Sequence, residues 1–454
     1  MFINRQKHKL KRNIGLFMLC VIGIDGTIGG GVFVLLSHGA GVAGQFLPLS
    51  FLLGGILAFL GALLYAELGT TIPRSGADLQ LVFNATRHRY YPFIFSWLVL
   101  LGDVGYLAIN AFGLAFYANF FFSVSPFIIA LGALLVAVAI NLWGSSKAGG
   151  SEVVTGLSLL GLLLLYAVLV LLSPGFSFAP GEFIALVPAN TLAIIAGTSL
   201  IFTTFVGYEY IASIAEEVKD PGKNIPRALM ITIAVATTVF VLVSWVTVNA
   251  VPVTELAASG APFLLIAEQL GPIGLYVVIP AALIATAGSL LAATLVSSRR
   301  IYALSEQGYF NKFFSRLSRT QVPYRAVLAV AVLAVFLLMS NSITFVAYIS
   351  NTVYLLGLIV IAIALMNLRR QRPYLARPFR VPFFPWIPII LIITSIGVLF
   401  FIGVQSLAAT LVWALIGYFI YLTTRIQAAR LYWAMWGAMV FLLLGGGASV
   451  WYLL

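Results

Sequence analysis

Glycines and an acidic side chain inside a long apolar stretch are the first residues of chemical interest. The stretch 14–37 carries Gly-Ile-Asp-Gly-Thr-Ile-Gly-Gly-Gly-Val-Phe at positions 23–33, with Asp25 among five glycines. An ionisable group within an apolar segment of membrane-spanning length marks a functional site by default. Non-helical backbone is tolerated at membrane depth only where protein or a water-filled cavity receives its polar groups.

This pattern predicts a helix that is interrupted and whose second half begins near Gly30. The N–H groups at the new helix start would then be available, and the positive end of the helix dipole would point at an anionic group. The alternative is a continuous helix in which Gly26 and Gly30 form a close packing face.

The composition is that of a polytopic membrane protein. Of 454 residues, 62% are hydrophobic and 8% are charged, whereas soluble domains carry about 25% charged residues. Cys20 is the single cysteine, so neither an intrachain disulfide nor a thiolate metal site is expected. The three histidines fall at segment ends, which argues against an enzyme or a metal centre. We expect no cofactor.

Thirteen apolar stretches are long enough, or nearly so, to cross a bilayer. They are 14–37, 46–70, 92–122, 124–143, 152–173, 191–215, 226–250, 272–298, 325–340, 344–368, 385–404, 406–424 and 431–454.

The basic residues all lie on one side of this topology. With the N-terminus in the cytoplasm, all 25 Lys and Arg residues fall in the N-terminal tail or in cytoplasmic loops. This bias predicts a cytoplasmic N-terminus and a C-terminus outside, in a multi-pass plasma-membrane protein. The net charge of +12 therefore indicates membrane orientation, and no nucleic-acid partner is expected.

The sixth stretch repeats the features of the first. The segment 202–209, Phe-Thr-Thr-Phe-Val-Gly-Tyr-Glu, again places a glycine and a carboxylate in the middle of an apolar helix. The two candidate breaks head two successive groups of five spans. Interrupted helices in corresponding positions of two halves indicate an inverted-repeat secondary transporter with its site at the midplane.

Four motifs resemble those of the amino acid–polyamine–organocation (APC) superfamily. They are Ile-Gly-Gly-Gly-Val-Phe at 28–33, Ala-Glu-Leu-Gly…Pro-Arg-Ser-Gly-Ala at 66–77, the segment 205–226 with Ala-Glu-Glu and Asn-Ile-Pro, and Ser-Arg-Arg-Ile-Tyr-Ala…Gln-Gly at 298–308. The resemblance covers about the first 310 residues. It implies an all-α protein with the LeuT-type 5+5 inverted-repeat fold, here with about 13 transmembrane helices.

The expected organisation is a single transmembrane domain. Residues 1–173 form the first repeat, 186–370 the second, and 383–424 two further helices. The span 431–454 is an extra helix, with Gly445-Gly446-Gly447 as a possible packing face for a partner.

The resemblance implies that the backbone at both breaks binds the substrate. The N–H groups of Gly30 and Gly31 would hold a carboxylate, and the carbonyls of Thr27, Thr203 and Val206 would hold an amine. The other residues assigned to the site are Gly29, Phe205, Gly207 and Tyr208, and Trp97 is a further candidate wall. For each aromatic residue, ordinary core packing is the alternative.

Asp103 lies inside the third span. In relatives that exchange arginine for its amine product, a polar residue at the aligned position faces the substrate. Asp103 would then pair with the second positive charge of a cationic amino acid or a diamine. The alternative is a buried acid that is neutral or paired with a neighbouring helix.

Ion coupling is expected at Asp25, one helical turn before Gly29. With Ser289 it would ligate Na⁺, or it would titrate, since Ser158 stands where many proton-coupled relatives carry a lysine. Glu209 is either a coupling or gating carboxylate or a helix-to-helix hydrogen-bond acceptor. Glu67 is expected to anchor a cytoplasmic loop.

Arginines at the cytoplasmic ends of spans suggest an inner gate. Arg74, Arg299 and Arg300 would pair with acids in the loop after the sixth span, namely Glu216, Glu217 and Asp220. Anchoring to anionic headgroups is the alternative.

The sequence therefore predicts a secondary active transporter of amino acids or related amines that works by alternating access. Cationic amino acids or polyamines are slightly favoured as substrates. Transport would be coupled to H⁺ or Na⁺, or would be an exchange. A monovalent-cation (potassium) transporter on the same fold is the alternative, motivated by Asp25 and Asp103.

Overall fold

A computed structural model describes residues 12–71, 82, 86, 89–144, 151–173, 176–177, 187–309 and 311–423. Every regular element in these ranges is helical, apart from one isolated bridge between Ile14 and Val218. The expected all-α architecture is confirmed for these residues. The predicted span 431–454 and Arg74 lie outside them.

Sixteen α-helices are numbered here in chain order. They are α1 Leu16–Thr27, α2 Gly31–Ala43, α3 Leu47–Thr71, α4 Tyr90–Ala118, α5 Pro126–Trp143, α6 Ser151–Leu171, α7 Thr191–Ile201, α8 Tyr210–Ser213, α9 Pro221–Val248, α10 Val253–Ala258, α11 Pro262–Gln269, α12 Pro272–Glu306, α13 Tyr324–Met339, α14 Ile343–Gln371, α15 Trp386–Leu399 and α16 Val404–Thr423. Short 3₁₀ turns occur at Gly44–Phe46, Pro188–Asn190, Phe202–Phe205, Ala215–Glu217 and Lys312–Ser315.

Nine helical segments of the described chain are long and apolar enough to cross a membrane. One of them, Gly31–Thr71, contains both α2 and α3, which the turn Gly44–Phe46 joins. Three shorter apolar helices, α1, α13 and α15, fall within predicted spans. A polytopic membrane protein is therefore shown, whereas the predicted number of thirteen spans is not.

Small residues let the helices approach closely. Along α3, Gly55 faces Thr237 of α9 and Gly69 faces Ala212 of α8. On α4, Gly105 lies against Ser350 of α14. Lipid tails are as apolar as leucine, so close van der Waals packing of this kind holds membrane helices together. The α3–α9 and α4–α12 pairs make the most extensive contacts among the described helices.

Two tryptophans join α4 to α16. The rings of Trp97 and Trp413 stack with centroids 4.1 Å apart. Each indole N–H donates to the other residue's carbonyl oxygen at 2.7 Å. Trp97 is therefore committed to this contact, which corrects its expected place in the wall of a binding site.

Glu67 anchors the chain between α14 and α15, as the sequence predicted. Its carboxylate is fully buried and accepts two hydrogen bonds from Arg369, with Nε at 2.8 Å. It also accepts the Val381 N–H at 2.6 Å, and the Arg377 Nε lies 3.5 Å away. The guanidinium of Arg369 lies 4.0 Å from the ring centroid of Phe384. One carboxylate thus ties α3 to α14 and to the following segment.

We predict that Glu67→Gln destabilises the protein more than any neutralisation of an exposed acid. Breaking one side of a buried ion pair leaves an uncompensated charge, which typically costs about 3–5 kcal/mol. Thermal unfolding of the purified protein measures the effect, with Glu306→Gln as the control because Glu306 is exposed at the end of α12. Equal melting temperatures for the two variants would contradict this role.

Candidate functional site

The first long apolar stretch is interrupted where its glycines cluster. Helix α1 ends at Thr27 and α2 begins at Gly31, so residues 28–30 separate two helices. Ile28 still donates its N–H to the Ile24 carbonyl at 2.7 Å, but its ψ of 73° leaves the helical region. The predicted break is confirmed, and the new helix begins one residue after Gly30. We call residues 28–30 break 1.

The sixth stretch is interrupted in a similar way. Helix α7 ends at Ile201 and continues as the 3₁₀ turn Phe202–Phe205. Val206 is extended, and Gly207 has a φ of +122°, which residues with side chains rarely adopt. Helix α8 then begins at Tyr210. We call residues 202–209 break 2.

The main chains of the first and sixth spans touch beside the two breaks. A Cβ placed on Gly207 would collide with the carbonyl of Gly26. A Cβ on Gly26 would lie 3.3 Å from the carbonyl oxygen of Gly207. Glycine at both positions therefore permits a direct contact between the main chains of the first and sixth spans.

Side chains of α4 and α12 surround break 1. The Gly30 N–H donates to Ser289 Oγ at 3.1 Å, and the Tyr106 hydroxyl donates to the same oxygen at 3.4 Å. Asn110 and Thr286 pack directly against Gly30, where a Cβ would collide with both. Within the described ranges no donor reaches Asn110 Oδ1. Ser289, which we expected beside Asp25, thus contacts break 1 itself.

A single amide holds the start of break 2. Asn351 of α14 accepts the Thr203 N–H at 2.5 Å and donates to the Leu200 carbonyl at 2.6 Å. Its side chain replaces helical hydrogen bonds that the chain gives up here. Asn351 was not among the predicted site residues, although an amide in the middle of the apolar span 344–368 was a visible signal.

Glu209 supports break 2 from within its own segment. Its Oε2 accepts the Gly207 N–H at 2.9 Å, so the carboxylate satisfies a donor that the break exposes. The carboxylate also lines a cavity that lies between α3, α4, α14 and break 2. The lining residues are Tyr65, Phe95, Val99, Phe202, Val206, Tyr208, Glu209, Tyr354, Gly357 and Leu358.

This cavity has a volume of about 30 Å³. A water molecule needs roughly 10–15 Å³ on this measure, so a few waters fit and an amino acid does not. Tyr208 faces the cavity and meets Tyr65 edge-on, with ring centroids 6.0 Å apart. Binding of a larger molecule here requires side chains or helices to move.

Phe205 lies in the core instead of in a binding cavity. It is fully buried, and its ring packs against Phe240 at 5.2 Å and Phe51 at 6.3 Å between centroids. Its assignment to the substrate site stays a prediction, since contact with a substrate would require Phe205 or its neighbours to move. The residue follows Thr204 on a 3₁₀ turn, and the turn directs its ring toward α3 and α9.

Asp103 and Arg300 form a buried ion pair. Arg300 Nε donates to Asp103 Oδ2 at 2.8 Å, and the Tyr354 hydroxyl donates to Oδ1 at 3.1 Å. Asp103 is 4% exposed. The pair joins α4 to α12, which is the helix-to-helix alternative raised for Asp103. In the structure Arg300 pairs with Asp103, and its expected pairing with the acids of the loop after the sixth span stays a prediction.

Asp25 is half-buried between α1 and α6. The Thr155 hydroxyl donates to its Oδ1 at 3.0 Å, and Gly156 packs against its side chain. Ser158 is exposed, so the assignment of Ser158 to this position is wrong. The face of α6 turned inward carries Gly156 and Leu159, and a residue two positions after Gly156 points away from it.

Comparisons with known proteins agree with this architecture. The sequence profile of the amino acid permease family matches residues 14–424. The branched-chain amino acid permease BcaP of Bacillus subtilis is 26% identical over 431 residues, covering 90% of this chain and 91% of the relative.

The names of other relatives mention different substrates. The methylthioribose transporter of Bacillus subtilis is 26% identical over 84% of this chain and 86% of its own length. The human cationic amino acid transporter 4 is 27% identical over 80% of this chain and 60% of its own length. These relatives are transporters, and the profile spans nearly the whole chain. The protein is therefore a transporter, not an enzyme, and it belongs to the amino acid permease family of the APC superfamily.

Proposed function

We propose that this protein is a secondary active transporter of amino acids that works by alternating access around the two breaks. The observation that carries the proposal is the contact between Gly26 and Gly207, which brings two interrupted helices together inside the apolar core. Paired broken helices of this kind mark substrate sites in secondary transporters. The relatives' names support amino acids as the substrate class.

The helix ends at the breaks suit a zwitterion. The N-terminal end of α2, at Gly30 and Gly31, presents N–H groups and a partial positive charge to a carboxylate. The C-terminal ends of α1 and α7, including the carbonyls of Thr27, Thr203 and Val206, present a partial negative charge to an ammonium. An arriving carboxylate would replace Ser289 Oγ as the acceptor of the Gly30 N–H.

The packing of the helices supports a 5+5 inverted repeat. If residues 1–173 and 186–370 are equivalent halves, α1, α3, α4, α5 and α6 correspond to α7, α9, α12, α13 and α14. Each pair of helices that packs together should then have a counterpart pair in which every helix is replaced by its equivalent. The pairs α1–α9 and α7–α3 match in this way, as do α1–α6 and α7–α14. The pairs α6–α12 and α14–α4, α4–α5 and α12–α13, and α5–α12 and α13–α4 also match. The equivalence assigns 383–424 to two helices outside the repeats.

Exposure at the breaks supports a state that is open toward the membrane face on which the N-terminus lies. Asp25, Gly26 and Glu209 are partly exposed. On the other side of break 1, the segment 31–36 is buried, and Phe33 packs against Phe263 at 4.8 Å between ring centroids. With the N-terminus in the cytoplasm of the cell, as the positive-inside rule favours, this is an inward-facing state of a plasma-membrane transporter.

Asp25 is our candidate for ion coupling, to Na⁺ or H⁺. It is an ionisable group near the C-terminal end of α1, and its carboxylate accepts the Thr155 hydroxyl. Helix α1 is the half of the first span that a transport cycle would move. Glu209 and Ser289 contact the breaks directly and would transmit binding to them.

The potassium-transporter alternative rested on two carboxylates. One of them, Asp103, already has the guanidinium of Arg300 as its counter-charge. No further observation favours a cation as the transported species.

The proposed function is tested by thermal unfolding of the purified chain with leucine, alanine, lysine or putrescine, and with potassium chloride as a separate arm. A ligand of the folded state at about 100 times its Kd raises stability by about 2.7 kcal/mol. We expect at least one amino acid to raise the melting temperature, with D-glucose as the negative control. A shift with potassium alone would instead support the cation transporter.

We predict that Gly31→Ala weakens amino acid binding while the protein still folds. The added methyl group would lie 3.4–3.5 Å from Thr204 and Tyr106, an ordinary contact, yet it would fill the space between the two breaks. We expect about tenfold weaker binding, equivalent to about 1.4 kcal/mol. Gly132→Ala is the matched control, because its methyl group would meet nothing within 4 Å. Equal affinities for the two variants would contradict the placement of the site.

We predict that Asp25→Asn abolishes ion-driven uptake. The amide oxygen can still accept the Thr155 hydroxyl, so the local packing stays while the ionisable group is lost. Uptake of the amino acid that binds is measured in proteoliposomes under an imposed Na⁺ or H⁺ gradient, with Glu268→Gln on the exposed surface of α11 as the control. Concentrative uptake that survives in Asp25→Asn would reject this coupling role.

A further inference from the structure

The buried ion pair of Asp103 and Arg300 lies next to the proposed site. Asp103 precedes Tyr106 by three residues on α4, so both side chains lie on the same face of the helix. Tyr106 contacts Ser289 beside break 1. On the other side, Tyr354 bonds Asp103 and also lines the cavity at break 2. The pair therefore lies close to residues that contact both breaks.

The charges of this pair cancel inside the helix core. A guanidinium stays protonated in proteins, so Arg300 is a permanent positive charge. Its side chain is 14% exposed and that of Asp103 is 5% exposed, and a bond of 2.8 Å joins them. Asp103 Oδ1 has its own donor in Tyr354. Both carboxylate oxygens are thus occupied by protein groups.

This arrangement sets the charge that a substrate side chain can carry. The α-ammonium of a substrate would be balanced by the C-terminal ends of α1 and α7 and by the nearby carboxylate of Glu209. A second ammonium or guanidinium would find no available counter-charge at Asp103, because Arg300 already neutralises it, and burying a charge without a partner is costly. Unfavourable contacts with competing ligands are a common source of specificity.

The lining of the cavity beside break 2 also suits an uncharged side chain. Apart from Glu209 and three tyrosines, its lining is apolar, with Val99, Phe202 and Leu358 among the side chains. Glu209 already accepts the Gly207 N–H. Enlarged by helix movement, this space would accommodate an uncharged side chain.

We propose that Arg300 determines specificity by neutralising Asp103, so that the transporter takes amino acids with uncharged side chains and discriminates against cationic ones. The proposal rests on the proposed function as an amino acid transporter and reverses the slight preference for cationic substrates that the sequence suggested. Arg300 acts here through Asp103.

The test uses ligand pairs that differ in charge and little else, arginine against citrulline and lysine against norleucine. Binding to the purified full chain is measured by thermal shift and by competition with the uptake of a bound amino acid in proteoliposomes. We expect the neutral member of each pair to bind at least about tenfold more tightly. Equal or tighter binding of arginine would overturn the proposal. A protein that responds to none of these ligands, nor to leucine or alanine, would instead refute the proposed function.

Variants separate the role of Arg300 from a merely structural one. Arg300→Met leaves Asp103 without its counter-charge, so the preference within each pair should shift toward arginine and lysine. Arg299→Met, at the neighbouring exposed position, should retain the wild-type preference. An unchanged preference in Arg300→Met would overturn the proposal.

A double variant separates the loss of Arg300 from the exposure of the Asp103 charge. Asp103→Asn combined with Arg300→Met removes both charges and leaves no buried charge unpaired, so it is better tolerated than Arg300→Met alone. It offers no counter-charge to a cationic side chain, so it should keep the wild-type preference for citrulline over arginine. A shift toward arginine in the double variant would overturn the proposal.

Discussion

The structure depends on how the main-chain polar groups at two interrupted helices are satisfied away from water. An unpaired N–H or C=O in the bilayer core is costly, so non-helical backbone needs partners supplied by protein or by a cavity. Here the partners are short polar side chains on neighbouring helices, Ser289 at break 1 and Asn351 at break 2, together with Glu209. Each of these supports a helix end whose dipole is then available to a ligand. The same bonds that make the breaks tolerable therefore also fix the geometry of the site.

Much of this could be predicted from the sequence because the signals were local. Glycine density around Asp25 and a glycine–carboxylate pair at 207–209 located both breaks to within a few residues. Side-chain direction was harder to predict. Ser158 was chosen because it stands where many proton-coupled relatives carry a lysine, and the inward face of α6 carries Thr155 in its place. Phe205 lies on a 3₁₀ turn, whose rotation per residue differs from that of an α-helix, and its ring enters the core.

Contacts between distant segments were beyond the reach of the sequence. The partner of Asp103 lies 197 positions away on another helix, and the amide of Asn351 reaches the sixth span over 148 positions. The sequence suggests an anchor or a gate for an arginine near the cytoplasmic end of a helix. Its side chain is long, and the sequence does not show how far along the helix the guanidinium extends. Pairing by opposite charge was anticipated for Arg300 with Glu216, Glu217 or Asp220, but its pairing with Asp103 needed the fold.

The contact between Gly26 and Gly207 has a mechanical consequence. Because no side chain stands between these two main chains, there is no soft layer to absorb a displacement of one against the other. The first and sixth spans are therefore expected to move together as one rigid unit. A ligand bound between them would contact both spans. In the proposed transport cycle, opening on one face of the membrane and closing on the opposite face would then be a single motion, without a state that is open to both faces.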